Sequence, residues 1–279
     1  MPTLVLSQRY TDDSNALWSA AVKAGWDIER VRGFAAPGGI VDPVFYSETL
    51  LVDAIAKDLA AAVLEPTYDW LPNLPSRWRQ RDVRLSTLGE ARGLTEPAFV
   101  KPVDDKWMRA AVYQNGSTLQ AALSDGLGDE LAVLVSEVAP FELEFRAFVH
   151  ERVAATVSPY LIHGEVAERD GFWGAPEGTF EEAVDFLARF LADAAVELPP
   201  GVVVDVGRLE SGGWAVVEAN PAWASGICGC DPYAILEVLR ASTVPRGALS
   251  ATLARWDRAA HQRRDSLGGP DQPRGTHGR

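Results

Sequence analysis

Three stretches of this 279-residue chain predict a mixed fold, a small α/β lobe leading into a larger α+β body. Strand and helix patterns alternate over roughly the first 70 residues, as in α/β units. Glu142–Val149 alternates strictly, with Glu142, Glu144 and Arg146 on one face and Leu143, Phe145, Ala147 and Val149 on the other. That is a half-buried strand with a charged face. Val202–Pro221 is two apolar runs joined through Ser211-Gly212-Gly213, which reads as a hairpin.

In chain order, Leu4–Leu6 is a short buried strand. Asp12–Gly25 has helical spacing of Leu17, Ala20 and Ala21 and a glycine stop. Asp27–Val31 is a second strand, Thr49–Ala62 a helix, and Ala62–Leu64 a third strand. Residues 66–84 are rich in Pro, Trp and Arg and form a connector. Its Arg77, Arg79, Arg81 and Arg84 read as a solvated basic patch, and a short helix is expected near Leu85–Gly93. The lobe and connector together take residues 1–95.

The body takes residues 96–250. Ala98–Pro102 is a strand ended by proline, and Leu131–Ser136 is another. Val153–Ser158 pairs with the alternating strand. Phe180–Val196 is an amphipathic helix and Tyr233–Ala241 a closing one. Residues 251–279 are poor in apolar side chains and are expected to be a disordered tail.

A hydrophobic content of 47% supports a substantial core, and a net charge of −13 makes nucleic acid a poor partner. No apolar run reaches the ~18 residues of a membrane span. Met1–Tyr10 lacks the basic and apolar regions of a signal peptide. The two cysteines, Cys228 and Cys230, make neither a disulfide framework nor a zinc site, so reduced thiols and a cytoplasmic setting are expected. The sequence lacks the P-loop, dinucleotide-binding, zinc-protease and nucleophile-elbow motifs.

The hairpin carries the chemistry. A turn at Ser211-Gly212 places Asp205 opposite Glu218, and a turn at Gly212-Gly213 places it opposite Asn220. In either register Asp205, Glu218 and Asn220 share a face. Two carboxylates facing each other across apolar strands repel unless a cation intervenes. Three hard oxygen ligands suit Mg²⁺, although an exposed acidic pair facing water explains the hairpin equally well. Upstream cations tip the balance. Lys101 ends an apolar strand, Lys106 follows five residues later, and Arg146 lies on a charged strand face.

This set of Phe99-Val100-Lys101-Pro102, Lys106, Val135-Ser136-Glu137-Val138, Glu144–Val149 and the Asp205…Glu218-Ala219-Asn220-Pro221 hairpin resembles the ATP-grasp superfamily. It looks closest to the clade marked by one arginine and two lysines. The resemblance covers roughly residues 96–240, and it implies an ATP-grasp fold with ATP and Mg²⁺ as cofactors. It implies that Lys101 and Lys106 contact the phosphates, that Glu137 and the Val138 backbone meet adenine, and that Glu144 holds the ribose. Arg146 would stabilise the γ-phosphate, and Asp205, Glu218 and Asn220 would bind Mg²⁺. Trp223 and Ser225 border the region where the family binds its acceptor. The sequence departs from the family at Lys106-Trp107-Met108-Arg109, where a small residue usually follows the lysine. Arg109 could act there instead.

The implied activity joins a small-molecule or peptide carboxylate to an amine through an acyl phosphate. The alternatives are a nucleotide-binding module without turnover and a phosphotransferase. Homodimers are common in the superfamily.

Overall fold

The computed structural model describes residues 1–104 and 107–261. The N-terminal lobe is a three-stranded parallel sheet in the order β2-β1-β3, from β1 (Thr3–Leu6), β2 (Asp27–Arg30) and β3 (Pro43–Tyr46). Helix α1 (Asp12–Ala24) starts on a capping box between Thr11 and Ser14, and it stops where Gly25 turns left-handed. Strand β3 was not expected. Its four residues, wedged among Pro and Gly, are too few to display a period. Helix α2 (Thr49–Ile55) is shorter than expected, and β4 (Ala61–Val63) leaves the lobe to pair with a late strand.

After α3 (Trp70–Asn73) and α4 (Ser76–Arg79) comes β5 (Val83–Thr87), a strand that was not expected, and then α5 (Leu88–Ala91), which lies within the span of the short helix expected near Leu85–Gly93. Strand β5 pairs with β8 (Ala132–Ser136) in an antiparallel sheet of order β5-β8-β6-β7. Strand β6 (Ala98–Pro102) and β7 (Ala111–Tyr113) complete it, and α6 (Gly116–Ala121) follows β7. Strands on both sides of residue 95 therefore share one sheet. The period misled because β5 exposes Arg84 and Leu85 together.

A second sheet, in the order β11-β10-β9-β14-β15, holds β9 (Phe141–His150), β10 (Val153–Ile162), β11 (Glu165–Val166), β14 (Gly201–Leu209) and β15 (Trp214–Pro221). The short β12 (Glu168–Arg169) and β13 (Phe172–Trp173) pair beside it. Helix α7 (Thr179–Ala192) lays Ala183, Phe186, Leu187, Phe190 and Leu191 against Phe145, Ala147, Val202 and Val204. At about 1.5–3 kcal/mol per buried large apolar side chain, this layer fixes one face of the sheet. On the other face, Phe148 and Val203 join the lobe's core together with α8 (Pro232–Ala241). Further along that face, Glu144, Arg146 and Asp205 share the side that Phe148 and Val203 occupy. Strand β16 (Thr243–Pro245) pairs with β4.

Residues 251–261 are not a disordered tail. Trp256 is buried, and Asp257 bridges to Leu64. Ion pairs rather than apolar side chains hold much of this segment, so its composition hid it. The remainder of the expected tail, 262–279, lies outside the described residues. Among the described residues no helix is long and apolar enough to cross a membrane.

Gly201 opens β14 where α8 crosses closest. A Cβ there would sit 2.1 Å from the Val238 carbonyl oxygen. The oxygen belongs to the backbone and the Cβ position is set by it, so neither can swing aside. Gly201→Ala is expected to cost roughly 2 kcal/mol or more, read as a lower urea midpoint with unchanged slope; a midpoint equal to the parent's would contradict this packing.

Candidate functional site

The chemistry is assembled by strand register. Asp205 on β14 stands directly opposite Arg146 on β9 and opposite Glu218 on β15. Arg146 donates from Nε to Asp205 Oδ1 at 2.9 Å and from Nη2 to Oδ2 at 2.7 Å, a two-pronged bond between buried partners. Burial pushes the Asp205 carboxyl up, and the Arg146 guanidinium beside it opposes this. The Arg146 guanidinium also donates through Nη1 to the Gly226 carbonyl at 3.1 Å and lies 4.2 Å from the Tyr160 ring centroid.

Asn220 ties the two carboxylates together. Its Nδ2 donates to Glu218 Oε1 at 2.8 Å and to Asp205 Oδ2 at 3.3 Å. Glu218 in turn accepts a bond from Lys101, which belongs to β6 in the facing sheet. Burial alone would raise the Glu218 carboxyl, but the Lys101 ammonium and the Asn220 amide outweigh it and hold it at about 2. The structure thus brings Lys101, Arg146, Asp205, Glu218 and Asn220 into one connected network across the cleft.

Glu144 lies on the same face of β9. Burial first, then the charges of Asp205 and Glu218, push it up to about 7. The donor set fits a hard divalent ion such as Mg²⁺: two carboxylates and one amide oxygen, with a lysine ammonium already bonded to one carboxylate where a metal cation could bind. Among the described residues no group of three His, Cys, Asp or Glu side chains is arranged as a metal cluster, so the amide of Asn220 is needed to complete the set.

The other expected residues fall around this centre. The Glu137 side chain accepts from the Asp82 amide at 2.7 Å at the join to β5, and Val138 beside it is exposed. Ser225 spends its hydroxyl on the Pro221 carbonyl at 2.7 Å. Trp223 is fully buried with its indole N–H on the Leu64 carbonyl at 3.1 Å, and its side chain lines the cleft with Asn220 and Arg258. Arg109 is exposed. Lys106 lies outside the described residues.

Sequence reasoning missed two arginines. Arg81, assigned to a solvated patch, turns into the cleft and donates to the Val216 and Val217 carbonyls at 2.8 and 2.7 Å. Its neighbours Arg77, Arg79 and Arg84 pair with Asp193, Asp82 and Glu90. Nothing in the run of arginines distinguishes the one that points inward. Arg258, assigned to the tail, is 5% exposed and gathers Asp53, Glu65 and Asp104 within 2.7–3.5 Å. It thereby joins α2, the end of β4 and the segment after Lys101, and it lines the same cleft as Lys101, Glu218 and Asn220. On the lobe side, Asp13 accepts from Tyr46 Oη at 3.1 Å and from the Ile227 amide at 3.0 Å, pinning the loop that also touches Arg146.

Residues 78–238 match a family model described as ATP-grasp domain, clade family 2. The chain belongs to the ATP-grasp family. Solved structures share the fold. A RimK-domain ATP-grasp protein from Sphaerobacter thermophilus DSM 20745 is 14% identical with a TM-score of 0.51, over 86% of this chain and 98% of that one. D-cycloserine synthetase DcsG is 14% identical with a TM-score of 0.53, over 86% of this chain and 99% of that one. N5-carboxyaminoimidazole synthetase from Staphylococcus aureus is 11% identical with a TM-score of 0.50, over 88% and 78%. No curated protein sequence matches the chain.

Two outcomes are expected from this electrostatic arrangement. An acid raised in the folded state favours folding while protonated. That contribution is complete below the ordinary value of 4.5 and is lost as pH climbs through about 7. Without nucleotide or metal, the parent should therefore lose roughly 2 kcal/mol of stability between about pH 5 and pH 8 that Glu144→Gln does not lose. Urea midpoints at the two pH values check this, and parallel losses would contradict it. Arg258→Met leaves three carboxylates facing one another and is expected to cost about 3 kcal/mol or more near neutral pH, by the same measurement.

Proposed function

We propose that the chain is an ATP-dependent carboxylate–amine ligase that works through an acyl phosphate. The observation that carries this reading is the bond from Lys101 of one sheet to Glu218 of the other, with Asn220 linking Glu218 to Asp205. Each partner holds the other where a ligand would bind. The ammonium sits on Glu218 as a metal cation would, and the carboxylate sits on Lys101 as a phosphate oxygen would. We assign Asp205, Glu218 and Asn220 to Mg²⁺, and Lys101 and Lys106 to the ATP phosphates. The purine is assigned to the backbone at Glu137 and Val138, and the ribose to Glu144. When bound, Mg²⁺ would neutralise charge on the β- and γ-phosphates.

In the first step a carboxylate oxygen of the substrate attacks Pγ, the bond from Pγ to the bridging oxygen breaks, and ADP leaves. In the second step an amine attacks the acyl carbon, the carbon–oxygen bond to phosphate breaks, phosphate leaves, and the nitrogen gives up a proton. The protein's part is to position and to stabilise charge, for which no protein nucleophile is required. Lys101 meets the transferring phosphoryl group. Arg146, fixed by Asp205 and the Gly226 carbonyl, offers its remaining donor to the reacting oxygens. Ser225, Arg109 and the loop at Gly226–Cys228 border the side where the acceptor enters. The fit of the fold to DcsG, named as a synthetase, supports this reading as an analogy of architecture.

The test is a coupled assay of ADP release over a panel of carboxylates and amines. Release should require both substrates, and Glu218→Ala should lower it more than about 100-fold, beyond the loss typical of residues outside the first coordination sphere. Release with a carboxylate alone and no amide product would point to a phosphotransferase. Analogue binding with no release from any pair would point to a nucleotide-binding module.

A further inference from the structure

Strand β15 contains an extra residue. Arg208 pairs with Trp214 and Val206 with Val216, but Asp205 pairs with Glu218 and Val203 with Asn220. The register shifts between these two sets, and Val217 is the residue left over. Had Val217 taken a regular place in the ladder, it would stand opposite Asp205. Glu218 would then stand opposite Val204, and Asn220 opposite Val202. Both valines face the core under α7. Side chains alternate, so this bulge is what turns Glu218 and Asn220 onto the face of Asp205.

A bulge disturbs the ladder and leaves backbone groups to be satisfied elsewhere. Here one side chain does it. Arg81 donates from Nη1 to the Val216 carbonyl at 2.8 Å and from Nη2 to the Val217 carbonyl at 2.7 Å. A further bond from Nη1 to the Arg79 carbonyl, at 2.9 Å, and the Phe141 ring, 5.3 Å from the guanidinium carbon, fix the fork from behind. Arg81 comes from the connector just before β5, so the sheet that carries Lys101 also braces the strand that carries Glu218.

We propose that Arg81 is a positioning residue for the metal-binding face. By capping both carbonyls of the bulge it holds Glu218 and Asn220 toward Asp205, without itself touching metal or phosphate. This inference rests on the assignment of Glu218 and Asn220 to Mg²⁺. Charge alone argues the other way. A fixed cation near Glu218 competes with a divalent ion, so removing it should tighten metal binding. Loss of the fork instead leaves two carbonyls without their donor and frees residues 216–218 to shift, which loosens the donor set. The two effects have opposite signs, which makes the sign of the change the test.

The experiment titrates the full chain and its Arg81→Met and Arg81→Lys variants with a nonhydrolysable ATP analogue, with and without Mg²⁺, after circular dichroism has checked the fold. The parent should bind the analogue more tightly with Mg²⁺. Arg81→Met should weaken the Mg²⁺-dependent binding about tenfold or more, the scale known for residues that orient metal ligands, while metal-free binding moves less than about threefold. Arg81→Lys keeps the charge without the planar fork and should fall between. If Arg81→Met does not fold, a loss of about threefold in Arg81→Lys decides in favour of the proposal. Unchanged or tighter Mg²⁺-dependent binding in the folded variants, beside a parent that responds to Mg²⁺, would overturn the role of Arg81 alone. A parent that does not respond to Mg²⁺ would overturn this inference together with the assigned metal site.

Discussion

A carboxylate with no access to solvent, on a strand of valines, must meet a cation or lose its charge. Asp205 is that carboxylate, and the register of β9 supplies Arg146 at the directly opposing position. The rest of the cleft is built outward from this pair. Asn220 reaches Asp205 from one side and Glu218 from the other. Lys101 closes the network from the second sheet.

Stability alone does not account for such an arrangement. Replacing a buried ion pair with apolar side chains of similar volume is often neutral or stabilising. Here buried arginines occur twice, Arg146 with Asp205 and Arg258 with Asp53, Glu65 and Asp104; Arg258 lines the cleft, and Asp205 reaches it through Asn220. Cations arrive from three separate parts of the chain, at Lys101, Arg81 and Arg146. Glu144 is pushed up to about 7, by burial first and then by the charges of Asp205 and Glu218. A cleft that gathers this many carboxylates suits a ligand that brings a metal with it.

The candidate site was more legible in the sequence than the fold's edges were. Alternation on Glu142–Val149 gave the charged face, and the apolar flanks of Asp205 and Glu218 gave the hairpin. The pairing of Asp205 with Glu218 was reached through a two-residue turn at Ser211-Gly212. The chain instead turns over Leu209–Gly213, with Gly212 and Gly213 both left-handed, and the bulge at Val217 restores the same pairing. One residue of bulge offsets the difference in turn, and neither leaves a mark in composition. Strand β3 was too short to show a period. The pairing of β4 with β16 joins residues 180 positions apart, which no local pattern encodes. Arg81 and Arg258 were missed for a related reason. A side chain's direction depends on the backbone that carries it, and a cation among cations gives no sign of which way it turns.

The most direct measurement is a crystal structure of the chain with a nonhydrolysable ATP analogue and Mg²⁺. The expected result is a triphosphate in the cleft between the two sheets, with the Lys101–Glu218 bond opened. Lys101 would then lie on phosphate, and Glu218, Asn220 and Asp205 would face one metal ion. A nucleotide bound elsewhere, with Lys101 still on Glu218, would contradict the assignment.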